Sequence, residues 1–152
     1  MANKEIFDLT AATLPLAGTE TVHIVQGGNS RKTPVSSLFV GYYDIALFAA
    51  GVMTASEVIL RYTVVRAFSI PATATGSKAS AGTAATTATT LAIKKNGTNF
   101  ATLDFAASAT LGVFTQTTAT SFAVGDVIQI VGPAVADAGL ANLSITLKGT
   151  LV

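Results

Sequence analysis

The dipeptide Asn96-Gly97 lies between two strand-like runs, Thr90-Leu-Ala-Ile-Lys-Lys95 and Thr98-Asn-Phe-Ala-Thr-Leu-Asp-Phe105. Both central residues of a type I′ turn need positive φ, which Asn and Gly tolerate, so the pair specifies a tight antiparallel hairpin. Leu91 and Ile93 share a face on the first arm, whereas Phe100 and Leu103 straddle faces on the second, so the register stays open. Alternation extends the β reading. From Val58 to Ile70 one face carries Val58, Leu60, Tyr62, Val64, Arg66, Phe68 and Ile70, and the other includes Arg61, Thr63 and Ser69. That pattern predicts one long, half-buried strand with Arg66 as the exception, ended by Pro71. Shorter strands are expected at Gly112 to Gln116, Val127 to Val131 and Leu143 to Lys148, with turns at Phe122 to Asp126, at Pro133 and at Asp137-Ala-Gly139. Ser77 to Thr90 is rich in Ala, Thr and Gly and reads either as a loop or as a loosely packed edge strand. No helical stripe of three turns is present, so residues 57–152 are expected to form an all-β sandwich or barrel.

The N-terminal part reads as a separate small cassette. Thr21 to Val25 is a β-branched run, Gly27-Gly28-Asn29 supplies a reversal, and Ser30 to Thr33 returns as a second strand. Pro34 closes that strand because it cannot donate to a ladder, and Val35-Ser-Ser-Leu38 can form one turn of helix. A lone two-stranded hairpin is marginal in water. Residues 1–40 are therefore expected to dock on something larger, through Leu16, Val22, His23, Ile24, Val25, Arg31 and Lys32. Residues 41–56 read as a connector to the β-domain, with Tyr42, Tyr43, Ile45, Leu47 and Phe48 as candidate core or interface groups.

Charge density points towards assembly. Half of the 152 residues are hydrophobic and only 11% are charged, against about a quarter in ordinary soluble domains. A chain of this size buries only about 70% of the surface that it exposes when unfolded. The apolar surplus is expected to face partner subunits, and Tyr62, Arg66 and Phe68 on the long strand are candidate oligomer contacts. Arg66 would either pair with an acid across a subunit boundary or lay its stem along apolar surface with its head in water. The net charge of +1 is scattered and forms no basic stripe, which argues against a nucleic-acid partner. The most apolar stretch, Ile45 to Leu60, is interrupted by Gly51, Thr54, Ser56 and Glu57 and falls short of a membrane span. The first residues carry no hydrophobic signal segment, so synthesis in the cytoplasm is expected.

Catalytic chemistry finds little to work with. The single histidine, His23, sits inside the cassette strand, where a polar strand face or docking contact is the plainer reading than a ligand or pH switch. Asp104, Asp126 and Asp137 are too scattered in sequence to claim a carboxylate pair, and no run of oxygen ligands surrounds Asp137. Asp126 follows Gly125, where a carboxylate commonly accepts from nearby backbone donors. Gly27-Gly28 and Gly76 to Gly82 lack the lysine and the strand-to-helix context of a phosphate loop. There is no cysteine. The expectation is a protein without enzymatic activity, cofactor or metal.

Two segments resemble tailed-bacteriophage virion proteins. Leu14-Pro-Leu-Ala-Gly-Thr-Glu20, followed by Val25-Gln-Gly-Gly-Asn-Ser-Arg-Lys-Thr33, resembles the GTE-(L/V)-x-x-(V/I)-V-Q-x-G cassette near the start of many phage fibres and appendages, where it is associated with anchoring to the particle. Arg66-Ala-Phe-Ser-Ile-Pro71, Ile93-Lys-Lys-Asn-Gly97, Phe122-Ala-Val-Gly-Asp-Val127, Asp137-Ala-Gly-Leu140 and Leu143-Ser-Ile-Thr-Leu-Lys-Gly149 resemble a small β-sandwich recurrent in phage structural proteins. No heptad run, collagen-like repeat or β-helix repeat separates the two, so a long shaft is absent. The resemblance then implies a compact virion component: a homotrimeric capsid decoration or cement protein with a jelly-roll-like β-sandwich, bound to the major capsid protein or another virion protein through residues 1–40. The alternative is a short head or tail fibre whose β-domain binds a host-surface glycan.

Overall fold

The computed structural model describes residues 19–35, 38 and 41–152, and the chain divides into two compact units, Met1–Val40 and Gly41–Val152. Nearly all the described structure is β. In the first unit, strand β1 (Thr21–Gln26) pairs antiparallel with β2 (Asn29–Pro34) in the register Val22↔Thr33 and Ile24↔Arg31. Gly27 and Gly28, at φ +59° and +77°, make the two-residue reversal, the geometry that matches the right-handed twist of paired strands. Below the hairpin, the Val35 amide donates to the Glu20 carbonyl at 2.7 Å, and the Leu38 amide donates to the Val35 carbonyl at 3.0 Å.

The second unit contains ten strands in one antiparallel sheet. They are β3 (Tyr42–Val52), β4 (Val58–Thr63), β5 (Phe68–Ile70), β6 (Lys78–Thr83), β7 (Thr89–Lys95), β8 (Thr98–Phe105), β9 (Leu111–Thr115), β10 (Thr120–Phe122), β11 (Val127–Val131) and β12 (Ala141–Leu151). The path across the sheet runs β10-β5-β12-β6-β9-β8-β7-β11-β4, and β3 pairs with β12 off that path. Strands distant along this path meet through their side chains. The Phe100 ring of β8 stands edge-on to Phe122 of β10 with centroids 5.4 Å apart, and the hydroxyls of Tyr43 on β3 and Tyr62 on β4 are hydrogen-bonded. The sheet therefore folds over on itself as an all-β sandwich. One core fills it, with Leu91 and Ile93 from β7, Leu103 and Phe105 from β8, Ile128 and Ile130 from β11, and Leu143, Ile145 and Leu147 from β12.

Several expectations change in detail. The stretch 58–70 is two strands. At Val64 the chain leaves β4, beside β11, and crosses to β5, between β10 and β12. The Val64 amide donates to the Asp126 carbonyl, and the Gly125 amide donates to the Val64 carbonyl, both at 2.8 Å. Val64 is itself buried, so the apolar alternation continues through the bend and hides it. The expected connector at 41–56 is largely β3, an eleven-residue strand paired with β12 from Tyr42↔Thr150 to Val52↔Ala141. The Ala/Thr/Gly-rich stretch contains β6, which is neither loop nor edge but an internal strand between β12 and β9. Its small residues have a packing reason. A Cβ placed on neighbouring Gly112 would sit 2.6 Å from Leu103 Cδ1 and 3.1 Å from Ala79 Cβ, so the β6-β9 crossing has no room for bulk.

The Asn96-Gly97 turn holds as expected, with φ +50° and +86°. The open register of its arms resolves as a bulge: Ile93 faces Ala101 and Lys94 faces Asn99, leaving Phe100 as the extra residue. That is why Phe100 and Leu103 straddled the two faces. A similarly tight contact limits β12. A Cβ on Gly149 would meet Phe68 Cδ2 at 2.5 Å and the Tyr43 carbonyl oxygen at 3.1 Å. Gly149→Ala is expected to destabilise the fold by about 1–3 kcal/mol through overpacking. An unchanged midpoint in urea denaturation would show that the Phe68 ring moves aside freely.

Candidate functional site

The candidate docking residues divide between the two faces of the hairpin. Residues paired across strands share a face. Val22, Ile24, Thr33 and Arg31 therefore lie on one side, and His23, Lys32, Val25 and Ser30 lie on the other. Val22 and Ile24 are half-buried, whereas His23, Arg31 and Lys32 are exposed and Val25 is 70% exposed. A partner gripping one face engages Val22, Ile24 and Arg31 or His23, Val25 and Lys32, but not all six at once. Leu16 lies outside the described residues.

The three candidate oligomer residues have three different environments. Phe68 is 0% exposed, with its ring stacked 4.9 Å from Phe122 and tilted against Tyr43 at the same distance. It belongs to the core of its own chain and presents no surface to a neighbour. This is a correction: the alternating face continues, but β5 turns it into the sandwich. Arg66 is exposed in the bend between β4 and β5 rather than on a buried strand face. Tyr62 is half-buried, and its hydrogen bond with Tyr43 raises its pKa above the ordinary tyrosine value.

Exposed apolar side chains occur elsewhere on the second unit. On the outward side of β3, Tyr42 and Phe48 face solvent, with Phe48 66% exposed. The register places Phe48 in one cross-sheet row with Ser144, Ser80 and Leu111, and Val113 follows Leu111 on the same side of β9. This face mixes large apolar residues with Ser and Thr. Read as a connector, residues 41–56 offer Tyr42 and Phe48 as candidate core or interface groups but place them on no strand; the period of two, with Tyr43, Ile45 and Leu47 inward, is blurred by the large apolar residues on the outward side.

Three acids of the β-domain, Asp104, Asp126 and Asp137, act as structural pins. Asp137 is buried. Its Oδ2 accepts from the Thr86 hydroxyl at 2.7 Å, the Thr87 amide at 2.8 Å and the Thr87 hydroxyl at 3.1 Å. Its Oδ1 accepts from the amides of Gly139 and Leu140 at 2.8 Å each, and the Thr86 amide lies 3.0 Å from both oxygens. These donors, led by the Thr86 hydroxyl, hold its pKa well below the usual carboxylate range. Asp126 accepts from Asn96 Nδ2 at 2.7 Å and the Ala123 amide at 2.8 Å, and it pairs with Lys95 Nζ at 3.0 Å. Its pKa falls to about 2, owing first to the Asn96 amide and then to the Ala123 amide and Lys95. Asp104 accepts hydroxyl hydrogen bonds from Thr90, Thr102 and Thr115, one from each of three strands. Among the described residues, no group of three His, Cys, Asp or Glu side chains could hold a metal ion, and no helix is long and apolar enough to cross a membrane.

Comparison with known proteins found no matching family model, no matching curated protein and no matching solved structure.

The depressed carboxyls set an acid limit. A carboxyl with a lower pKa in the folded chain binds fewer protons there than when unfolded, so its contribution is complete above the ordinary value of 3.8 and is lost as pH falls through the folded value of about 2. The melting temperature is expected to fall across that window, and Asp126→Asn should flatten the fall. A variant with the same pH slope as the parent would remove Asp126 from the acid response. Asp137→Asn turns an acceptor into a donor facing amide donors, and at about pH 7 it should lower the melting temperature by about 5 °C or more. Circular dichroism melts measure both effects.

Proposed function

We propose that this chain is a structural component of a tailed-bacteriophage virion, specifically a homotrimeric capsid decoration or cement protein attached through its N-terminal unit to the major capsid protein or a neighbouring virion protein. One observation carries the reading. Among the described residues, the buried core cluster lies within residues 45–147, while the described part of the first unit is a two-stranded hairpin with Val25 open to solvent. A hairpin of this size gains independent stability by packing on something else. The resemblance of Leu14 to Thr33 to the phage anchoring cassette supplies the kind of surface it would pack on.

The second unit supports the assembly half of the proposal. Its outward face carries Phe48, Leu111 and Val113 among small hydroxyl side chains, a composition suited to contact between copies. Such contacts bury apolar and main-chain groups across subunit boundaries, and on a shell they resist outward pressure. The acids Asp104, Asp126 and Asp137 satisfy donors within their own chain, which suits a structural subunit better than an enzyme.

Two measurements test this. Light scattering on the full chain is expected to give a mass three times that of the 15.4 kDa protomer, and Phe48→Asp should shift it towards the monomer. Deleting residues 1–38 should leave a folded β-domain that no longer sediments with virions of the phage encoding the chain. Retained sedimentation would overturn the anchoring role.

A further inference from the structure

Between β8 and β9 the surface holds an open recess of about 190 Å³, lined in part by Asn99, Phe100, Thr102, Thr115, Gln116 and Thr117, with no charged side chain in its wall. Gln116 is the unusual member. It is 4% exposed, and its Nε2 donates to the Thr118 carbonyl at 2.6 Å and the Thr120 hydroxyl at 3.2 Å. The Thr118 carbonyl, which can only accept, fixes which end of the amide is the nitrogen. The other end, Oε1, is buried without a hydrogen-bond partner. An unsatisfied buried carbonyl costs about 1–3 kcal/mol, so a donor that reached it would recover that free energy.

The threonines share its polarity. The hydroxyls of Thr102 and Thr115 both donate to Asp104 Oδ2, at 2.9 and 3.1 Å. Their hydrogens are thus committed to a carboxylate, and their lone pairs are what remain for a ligand. Thr102 and Thr115 are cross-strand partners in the register, so the two acceptors sit side by side. At the other side, the bulge re-aims Phe100. Its ring stands edge-on to buried Phe122 and stays half-exposed, an anchored apolar surface in the same recess as the two threonines.

We propose that this recess binds a neutral, hydroxyl-rich ligand, a single sugar ring, whose hydroxyls donate to Thr102 Oγ1, Thr115 Oγ1 and Gln116 Oε1 and whose C–H face lies on Phe100. The uncharged lining disfavours anionic sugars, since no cation is placed to pair with them. Oε1 is sealed in the free chain, so engaging it requires an adjustment of the Gln116 side chain, and the recovered hydrogen bond offsets that cost. The volume is below the roughly 300 Å³ at which drug-sized pockets begin. The site therefore holds one ring and binds it weakly, in the millimolar range, as repeated copies on an assembly can exploit. The proposal goes beyond the decoration role and does not depend on it.

Saturation-transfer and amide-shift NMR on the full chain test it, using glucose, galactose, mannose and N-acetylglucosamine as probes and glucuronate as the anionic comparison. At least one neutral sugar is expected to shift amides at residues 99–102 and 115–117, with glucuronate weaker. Thr102→Val keeps the side-chain shape and removes one acceptor, and should weaken that binding about threefold to tenfold. Phe100→Ala should abolish it, its fold being verified by the amide spectrum. No shift with any neutral sugar, shifts confined to other strands, or equal affinity in Thr102→Val would each overturn the assignment. None of these measurements involves a virus particle, so failure here is distinct from failure of the attachment reading.

Discussion

Strand β12 is the element on which the rest of the second unit depends. One edge pairs with β3 along nearly its whole length, while the other edge is shared by β6 over Ala141–Thr146 and by β5 at Thr150–Leu151. Its alternate residues Leu143, Ile145 and Leu147 enter the core. Among the described residues, no other strand has three partners. Because β12 is the last strand in the chain, its pairings with β3 and β5 close long loops. Pairings this distant in sequence have a large closure cost before they return any stability. The preceding strands must therefore be held near their final places by local devices: the Asn96-Gly97 hairpin and the Asp126 turn.

Those local devices were also what the residues revealed most directly. The Asn96-Gly97 and Gly27-Gly28 reversals were legible because positive φ has a short list of suitable residues. β11 could be placed from Val127 to Val131 by its β-branched run. The long-range features were hidden for specific reasons. The break between β4 and β5 falls at a residue, Val64, that is buried by the turn at 123–126 rather than by a ladder, so the period of two never lapses. β6 is built from Ala, Ser and Gly because space at Gly112 is short, and such residues resemble a loop when read alone. β3 was hidden by its outward apolar residues, which blur the alternation that marks a half-exposed strand.

The candidate sites were legible to different depths. Phe68 and Tyr62 share a parity on the sequence, yet Phe68 is interior and Tyr62 reaches only to Tyr43, because the bend after Thr63 places them in separate strands. Parity predicts a face only while the strand continues. On the hairpin, the same rule works in the other direction. The register is specified by the turn, so it separates Val22, Ile24 and Arg31 from His23, Val25 and Lys32, a division that a sequence list of docking residues cannot contain.

Against the scarcity of charge, three acids have a visible assignment. Asp137 joins the segment at Thr86-Thr87 to that at Gly139-Leu140, Asp126 ties the β7-β8 turn to the start of β11, and Asp104 orients hydroxyls from three adjacent strands. The first two pins consume donors that would otherwise be buried or competing, so they stabilise loops. Asp104 differs because its partners are side chains on the sheet surface. By taking the hydroxyl protons of Thr102 and Thr115, it converts two ambivalent groups into two acceptors. A carboxylate can thus set the hydrogen-bonding polarity of a neutral recess without facing the ligand, which separates the source of polarity in this surface from the groups that present it.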